Sequence, residues 1–125
     1  MRVSKQDWMM TWVSLVHAAT FLRSGLEAEL RKSLGISLAE QDLIKQLHVS
    51  GGNLTLGELG KRIYFSKAGI TRMLDRLEVS GLVRRQAVEG DRRSLTAVLT
   101  GKGEQTLAES RRILKRFVRT ELRDR

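Results

Sequence analysis

Three helix-start signals in the middle of the chain constrain its fold more than any other feature. Ser37 and Glu40 have the S-x-x-E spacing of a capping box, in which each side chain satisfies a backbone N–H at the start of a helix. Thr55 and Glu58 repeat that spacing, and Ser66 is a favourable N-cap for another helix. The pattern predicts three helices in succession. The last two are joined by a tight turn, which is a helix-turn-helix arrangement.

A β-hairpin is predicted directly after these helices. The third helix is expected over 67–79, because a glycine that can end it follows shortly afterwards. The segments 82–87 and 95–99 have the composition of short strands, and the polar segment 88–94 is predicted to be the turn between them. The chain is therefore expected to be mainly α-helical, with one hairpin and no proline.

Longer helices are predicted on both sides of this central segment. Residues 5–32 place apolar side chains at spacings of three and four, and Gly35 follows as a stop. Their stripe consists of Trp8, Trp12, Leu15, Val16, Ala19, Leu22, Leu26 and Leu30. A last helix begins at Thr100, and its expected apolar face consists of Leu107, Leu114, Phe117, Val118 and Leu122. Because a long terminal helix has little of its own chain to pack against, we expect the first stripe to bury against a second subunit.

The net charge of +9 is concentrated in two blocks. Residues 1–60 hold as many acidic as basic residues, whereas residues 61–93 hold nine basic and four acidic ones. Residues 111–125 hold seven basic and two acidic ones. A basic block inside a folded segment indicates a polyanion as partner, and the alternative is a surface that only serves solubility. The C-terminal block is closer to that alternative, because its charges can cover the outer face of a helix.

Composition argues against several other classes of function. The chain has no cysteine, which excludes disulfides, thiolate metal sites and cysteine-based redox sensing. No apolar run reaches the ~18 residues of a membrane span, and the first residues lack the pattern of a signal peptide. We therefore expect no membrane partner and a cytoplasmic location. His17 and His48 lack partners at metal-ligand spacing, so neither a metal site nor a cofactor is expected.

No catalytic residues are predicted, and we expect that the protein is not an enzyme. The sequence offers no nucleophile beside a base and no paired carboxylates in a credible cleft. The glycines of Gly101-Lys102-Gly103 are interpreted as helix-start residues, because the longer glycine loop of a nucleotide site is missing.

The helix 67–79 has an apolar arc and an opposite polar arc at 100° per residue. The apolar arc, which we expect to face the core, consists of Ile70, Met73, Leu74 and Leu77. The polar arc and the N-terminal end consist of Ser66, Lys67, Ala68, Thr71, Arg72 and Asp75. Small and hydrogen-bonding residues at the start of an exposed helix suit entry into the major groove, where Arg72 has the shape for a bidentate bond to guanine. The alternative is an ordinary amphipathic helix with a solvated polar face.

The hairpin turn favours DNA as the partner. Arg92 and Arg93 are predicted at its tip, where adjacent arginines can reach the minor groove of A·T-rich DNA. Phosphate would repel Asp91, so we expect that carboxylate to be an internal brace paired with Arg72 or Arg93. A plain solvated turn is the alternative.

Residues 54–103 resemble the MarR (multiple antibiotic resistance regulator) family of winged helix-turn-helix transcription factors. The resemblance rests on LGELGKRI, SKAGITRMLDRLEVSGLVRR and DRRSLTAVLTGKG, which occur in that order over about 50 residues. The helices predicted at 5–32 and 37–48 lie where the family has its first two helices, so the resemblance extends to nearly the whole chain.

The resemblance implies a mainly α fold: one winged helix-turn-helix domain over 1–125, with a two-stranded β wing. Residues 1–34 and 100–125 would then be N- and C-terminal dimerisation helices around a DNA-binding core at 36–99. The predicted DNA-binding residues are Ser66, Lys67, Ala68, Thr71, Arg72 and Arg76 of the recognition helix, with Arg92 and Arg93 of the wing. Family members usually have a longer last helix than the one that runs to Arg125 here, and the sequence leaves open whether this helix is naturally short or truncated.

The family also implies the partners. Its members are homodimers that bind pseudo-palindromic operators on double-stranded DNA, often as repressors released by small aromatic effectors. For such an effector, Trp12, Val16 and His17 are the predicted pocket residues, because His17 lies beside the other two on the first helix. The alternative for His17 is a surface or dimer-interface position.

Other functions remain open from the residues alone. A winged-helix module for protein–protein assembly would also use a basic surface, toward an acidic partner. RNA binding is disfavoured, because RNA-reading surfaces offer exposed aromatic rings and most of the six aromatic residues here fall on core-like positions.

Overall fold

The structure, a computed structural model, describes residues 5–88 and 90–123, with side chains for 7–87 and 95–123. Its helices are α1 (Lys5–Leu34), α2 (Leu38–Val49), α3 (Leu56–Arg62), α4 (Lys67–Val79) and α5 (Gly101–Val118), followed by a π-helical turn at Arg119–Arg123. Its strands are β1 (Asn53–Thr55), β2 (Val83–Val88) and β3 (Asp91–Leu99). The predicted mainly α winged helix-turn-helix fold is confirmed.

The three predicted helix-start signals act as N-caps. The Ser37 hydroxyl accepts the Glu40 N–H at 2.9 Å, and the Glu40 carboxylate accepts the Ser37 N–H at 2.8 Å. Thr55 and Glu58 form the same reciprocal pair. The Ser66 hydroxyl accepts the N–H of the third residue of α4. Each cap satisfies amide groups that a helix end would otherwise leave without a partner, which fixes where these helices begin.

The sheet has three antiparallel strands in the order β1-β3-β2: β2 and β3 form the predicted two-stranded wing, and β1 is an additional strand that was not predicted. The additional strand is short: Asn53 pairs with Val98, and Thr55 pairs with Thr96. Sequence patterning placed these residues in a loop and a helix start, because three residues are too few to show alternation. Pairing with β3 buries Leu54, which has 3% of its surface exposed.

The second wing strand is longer than predicted, whereas the first has the predicted length and is shifted by one residue. The backbone of β3 begins at Asp91, inside the segment that was expected to be a turn. Val88 pairs with Asp91 while Ala87 pairs with Leu95, so the register shifts in the last step of the hairpin. This bulge lets the strand continue through polar residues that composition alone assigns to a turn.

One hydrophobic cluster joins all five helices to the sheet. α2 lies at its centre, since Leu43, Ile44 and Leu47 are fully buried. From α4 it takes Leu74 and Leu77, as predicted from the apolar arc. The orientation of α4 is therefore fixed first by burial of its apolar side chains against α2 and the sheet.

Only part of each terminal helix packs against this cluster. In α1, Leu26 and Leu30 are buried, whereas residues 7–21 are exposed on every side in the single chain. α1 meets α5 at a close crossing, because a Cβ on Gly25 would lie 2.7 Å from the ring of Phe117. The N-terminal half of α1 extends beyond that crossing, so the predicted stripe divides into a buried and an exposed portion.

The apolar face predicted for α5 is partly wrong. The face that packs inward consists of Leu107, Ser110 and Ile113, with Phe117 half-buried. The predicted members Leu114, Val118 and Leu122 form a second, exposed stripe instead, with 37%, 41% and 65% of their surfaces exposed. The sequence pattern merged two adjacent stripes because both are apolar and one begins where the other is interrupted by Ser110.

The start of α5 is joined to the end of α4 through a glycine. Thr100 caps α5 by accepting the Gly103 N–H at 3.0 Å, and its hydroxyl also donates to the Leu82 carbonyl. A Cβ on Gly103 would lie 2.2 Å from that carbonyl oxygen and 2.5 Å from a methyl group of Leu99. The backbone approach therefore requires glycine at this position.

Replacing Gly103 with alanine should lower the free energy of unfolding by about 1–3 kcal/mol, because the added methyl group forces two buried segments apart. Urea denaturation followed by circular dichroism measures the change. Gly101→Ala is the matched control in the same helix turn, where a Cβ meets nothing within 4 Å. Equal stability of the two variants would contradict the packing described here.

Candidate nucleic-acid interface

The N-terminal half of α4 presents a polar, basic face to solvent. Ser66, Lys67, Ala68 and Arg72 are exposed, and Thr71 is half-buried beside them. The Ser66 hydroxyl already accepts the Gly69 N–H at 3.0 Å, so its own hydrogen can be donated outward. Five of the residues predicted from sequence therefore lie together at one end of one helix.

The N-terminal end of this face is suited to a phosphate, and the next turn of the helix is suited to the edges of bases. The first amides of α4 point outward at the positive end of the helix dipole, which favours phosphate. The Thr71 hydroxyl donates to the Lys67 carbonyl at 3.0 Å, so that side chain is held along the helix. Arg72 is one turn beyond Ala68 on the same exposed arc.

The turn before α4 adds groups that the sequence analysis did not select. Tyr64 is fully exposed, Phe65 is half-exposed, and Lys61 is exposed in the last turn of α3. Most aromatic residues were expected on core-like positions, and Tyr64 and Phe65 do not fit that expectation. The exposure of Trp8 and Trp12 in the single chain does not test their expected burial against a second subunit. The sequence did carry a signal that Tyr64 is exposed. Tyr64 lies between two helices, so no helical spacing assigns it to the core.

The C-terminal half of α4 is attached to the wing by an ion-pair cluster. The Arg85 guanidinium on β2 lies 2.6 Å from Asp75 and 3.0 Å from Glu78, both on α4. Glu78 also accepts the Arg85 backbone N–H at 3.0 Å. Asp75 was assigned to the exposed polar arc, and the structure shows that its charge is used to hold the wing.

Electrostatics in this cluster favour the charged forms of both partners. Side-chain and backbone hydrogen bonds from Arg85 hold the pKa of Glu78 below its usual value of 4.5. Hydrogen bonds to Glu78 and Asp75 raise the pKa of Arg85. Because Glu78 is ionised throughout the neutral range, the attachment of the wing to α4 persists there and weakens as the pH falls through the lowered pKa of Glu78.

Two more polar contacts hold the same half of α4. The Lys102 ammonium donates to the Ser80 carbonyl at 2.8 Å, which ties the C-cap of α4 to the first turn of α5. On the other flank, the Arg76 guanidinium lies 3.7 Å from the carboxylate of Glu40 on α2. Arg76, although predicted to bind DNA, is therefore directed toward a carboxylate of its own chain.

The wing residues fall at the limit of what the structure describes. Arg92 and Arg93 lie on the β3 backbone beyond the bulge, and their side chains are outside the described residues. The side chain of Asp91 is also outside them, so its predicted role as a brace is not tested. The wing attachment that is described uses Arg85 instead.

The predicted effector residues Trp12, Val16 and His17 lie on α1, beyond its crossing with α5. All three are exposed on the projecting half of α1. A cleft of about 720 Å³ lies elsewhere, between α3, α4 and the wing, and Lys67, Thr71 and Arg85 are among its lining residues. A shallower one of about 530 Å³ follows the exposed stripe of α5.

Charged groups outside this face form pairs rather than a metal site. His48 Nδ1 lies 2.7 Å from Glu104, which joins the end of α2 to the start of α5. Across the described ranges, no three histidine or acidic side chains lie close enough together to hold a metal ion. Within those ranges there is also no helix with the length and apolar character to cross a membrane.

Comparison with known sequences identifies a family for this arrangement. A model of the MarR family matches residues 34–94, which include α2, α3, α4 and the wing up to the bulge. YfiV of Bacillus subtilis, described as an uncharacterised HTH-type transcriptional regulator, is 33% identical over 89 residues. That alignment covers 71% of this chain and 54% of YfiV, so the chain spans about half the length of this curated relative.

Two solved structures from Streptomyces coelicolor share the fold over nearly the whole chain. The MarR family regulator AbsC superposes with a TM-score of 0.83 at 26% identity, covering 99% of this chain and 83% of AbsC. The MarR family regulator Sco3205, solved in complex with DNA, gives a TM-score of 0.85 at 27% identity, covering 100% of this chain and 79% of Sco3205. Together with the recognition-helix and wing geometry, these matches show that the chain belongs to the MarR family of winged helix-turn-helix transcriptional regulators.

Proposed function

We propose that this protein is a sequence-specific DNA-binding transcriptional regulator that acts as a homodimer. The observation that supports this most is the exposed N-terminal half of α4, which presents Ser66, Lys67, Ala68, Thr71 and Arg72 beside the wing. Selection of bound duplexes from a random pool would test the proposal. Equal affinity for selected and random duplexes at physiological salt would refute the sequence specificity.

In the proposed complex, the N-terminal half of α4 enters the major groove. Ser66 and Lys67 contact phosphate together with the first amides of the helix, which positions the protein without reading sequence. Arg72 donates two hydrogen bonds to guanine, and the methyl group of Thr71 contacts a thymine methyl. The half-buried, internally bonded Thr71 supports this role, because its orientation is set before DNA binds.

The wing supplies the second contact. Arg92 and Arg93 would insert into the adjacent minor groove, where a narrow A·T-rich segment concentrates negative potential. The ion pairs between Arg85 and α4 support this arrangement, because they fix the base of the wing relative to the recognition helix. α4 would then read base edges while the wing reads the shape of the adjacent groove, at a fixed spacing along the duplex.

A second copy of the chain is proposed to cover the exposed apolar faces of α1 and α5. α1 exposes Trp8, Trp12 and Leu15 at 67%, 65% and 62% of their surfaces, and α5 exposes the stripe of Leu114, Val118 and Leu122. So large an exposed apolar area is typical of an interaction surface. A two-fold dimer with its recognition helices about 34 Å apart would read a pseudo-palindromic operator.

Repression and effector response are finer parts of the same proposal. A dimer occluding an operator would act as a repressor in the cytoplasm. An aromatic effector would bind where Trp12, Val16 and His17 face the partner subunit, because a cleft at these exposed residues requires a second wall. Thermal melts with candidate aromatic acids would test this part separately from DNA binding.

Arg72→Ala should reduce discrimination between the selected operator and its guanine-substituted variants by about 1–3 kcal/mol, because a bidentate contact to guanine is lost. Fluorescence anisotropy titrations with both duplexes measure the difference. Thr106→Ala, a half-buried position on α5 away from this face, is the control. An Arg72 variant that discriminates as well as the unmodified protein would contradict the assigned role.

Arg92→Ala and Arg93→Ala should each reduce the magnitude of the slope of log affinity against log salt concentration by about 1, because each removes a cation that displaces counterions from the phosphates flanking the minor groove. Arg112→Ala provides a matched arginine on α5, where its guanidinium lies 2.6 Å from Glu109. Its slope should equal that of the unmodified protein. If all slopes are equal, the wing does not contact DNA.

Val118→Asp should convert the dimer to a monomer, because a carboxylate would be buried in an apolar interface without a partner. Sedimentation equilibrium measures the mass. Val79→Asp is the control, since Val79 has 90% of its surface exposed at the end of α4. A monomeric unmodified protein, or a dimeric Val118 variant, would contradict this interface.

A further inference from the structure

Arg76 forms an ion pair with a carboxylate that has almost no contact with solvent. The side chain of Glu40 is 3% exposed, whereas that of Arg76 is 60% exposed, and Arg76 Nε lies 3.7 Å from Glu40 Oε2. The other carboxylate oxygen of Glu40 accepts the Ser37 N–H at 2.8 Å. One oxygen of Glu40 therefore caps α2 while the other faces the recognition helix.

A buried carboxylate is costly to desolvate unless a cation accompanies it. Among the described side chains, Arg76 is the cation placed against Glu40. Moving the Arg76 guanidinium away to a DNA phosphate would leave that carboxylate uncompensated. This cost favours retention of Arg76 at Glu40 when the protein binds DNA.

The position of the pair determines what it can control. Arg76 is one turn after Arg72 on α4, and the attachment of Asp75 and Glu78 to Arg85 lies on the other flank of the helix. Ion pairs on both flanks restrict rotation of α4 about its axis. That rotation decides whether Arg72 meets the edge of a base.

The pair also connects α4 to α1 through the first turn of α2. The Leu38 N–H donates to Glu27 Oε2 of α1 at 2.6 Å, and the next amide-capping contact in that turn is the Ser37–Glu40 box. At the start of α2, the Leu38 N–H is thus bonded to Glu27 of α1, and the Glu40 carboxylate is paired with Arg76 of α4. The first turn of α2 therefore makes separate polar contacts with α1 and with α4.

We infer that Arg76 is a positioning residue rather than a DNA contact. Its pairing with Glu40 sets the rotation of α4 and thereby the discrimination between operator and random DNA. The inference rests on the proposed function and deepens it, because it assigns one of the expected DNA-binding arginines to the protein's own scaffold.

Glu40→Gln is the decisive variant. Glutamine can still accept the Ser37 N–H, so the capping box persists while the charge is removed. Anisotropy titrations should show discrimination between operator and random duplex falling about tenfold, within the range for coupled neighbours, with an unchanged salt slope. Arg76→Gln should give the same result, and the double variant should be no worse than either single one.

Arg76→Lys is the conservative control, since an ammonium can pair with Glu40 as a point charge, and it should keep most of the discrimination. Circular dichroism melts of each variant establish that it is folded. The inference is overturned if Arg76→Gln lowers the salt slope by about 0.9 while Glu40→Gln discriminates normally, which is the behaviour of a phosphate contact. Normal discrimination by both variants would overturn it as well.

A second readout separates this inference from the proposed function. If the unmodified protein fails to discriminate any operator, the proposed function is refuted. Backbone amide NMR shifts of α4 then decide the positioning role in the free protein. The pair positions α4 if Glu40→Gln and Arg76→Gln shift the Thr71 and Arg72 amides in the same direction. Unchanged amides at those two residues would overturn it.

Discussion

The C-terminal half of α4 is held by apolar and polar contacts, and the geometry of the proposed DNA-facing surface depends on those contacts. Leu74 and Leu77 are buried in the core, Asp75 and Glu78 hold the wing through Arg85, and the Ser80 carbonyl is tied to Lys102 of α5. The other half of the helix makes its polar contacts within its own first turns, at Ser66 and Thr71. Because the helix is rigid, the contacts of its C-terminal half, together with the buried Ile70, also fix the orientation of its exposed N-terminal face.

The helix starts and the apolar face of α4 were predictable from sequence because their causes are local. A capping box needs residues three positions apart, and Ser37, Thr55 and Ser66 all act as the spacing predicted. The apolar arc of α4 followed from helical periodicity alone. β1 could not be predicted, because its three residues acquire their structure from pairing with β3, more than forty residues later.

The candidate site was also predictable only where its residues are close in sequence. The residues at the start of α4 were found because they share one short helix. The pairing of Arg85 with Asp75 and Glu78, and of Arg76 with Glu40, depends on how a strand and two helices pack, so composition offered no signal for either. The two stripes of α5 were merged for a related reason: which apolar residue faces inward depends on where α1 crosses, and that crossing is set by Gly25 and Phe117.

The glycine contact between α5 and the segment after α4 has a mechanical consequence. Gly103 lies so close to the Leu82 carbonyl that neither backbone can slide past the other, and Thr100 and Lys102 bond across the same junction. The first turn of the 18-residue helix α5 is therefore fixed to the segment that follows α4. A helix of that length is about 27 Å long, so a tilt of about 5° at this pivot corresponds to about 2 Å of travel at its far end. A molecule that displaces the C-terminal end of α5 would thus tilt α4 as well. It would change the proposed DNA-facing surface without touching it.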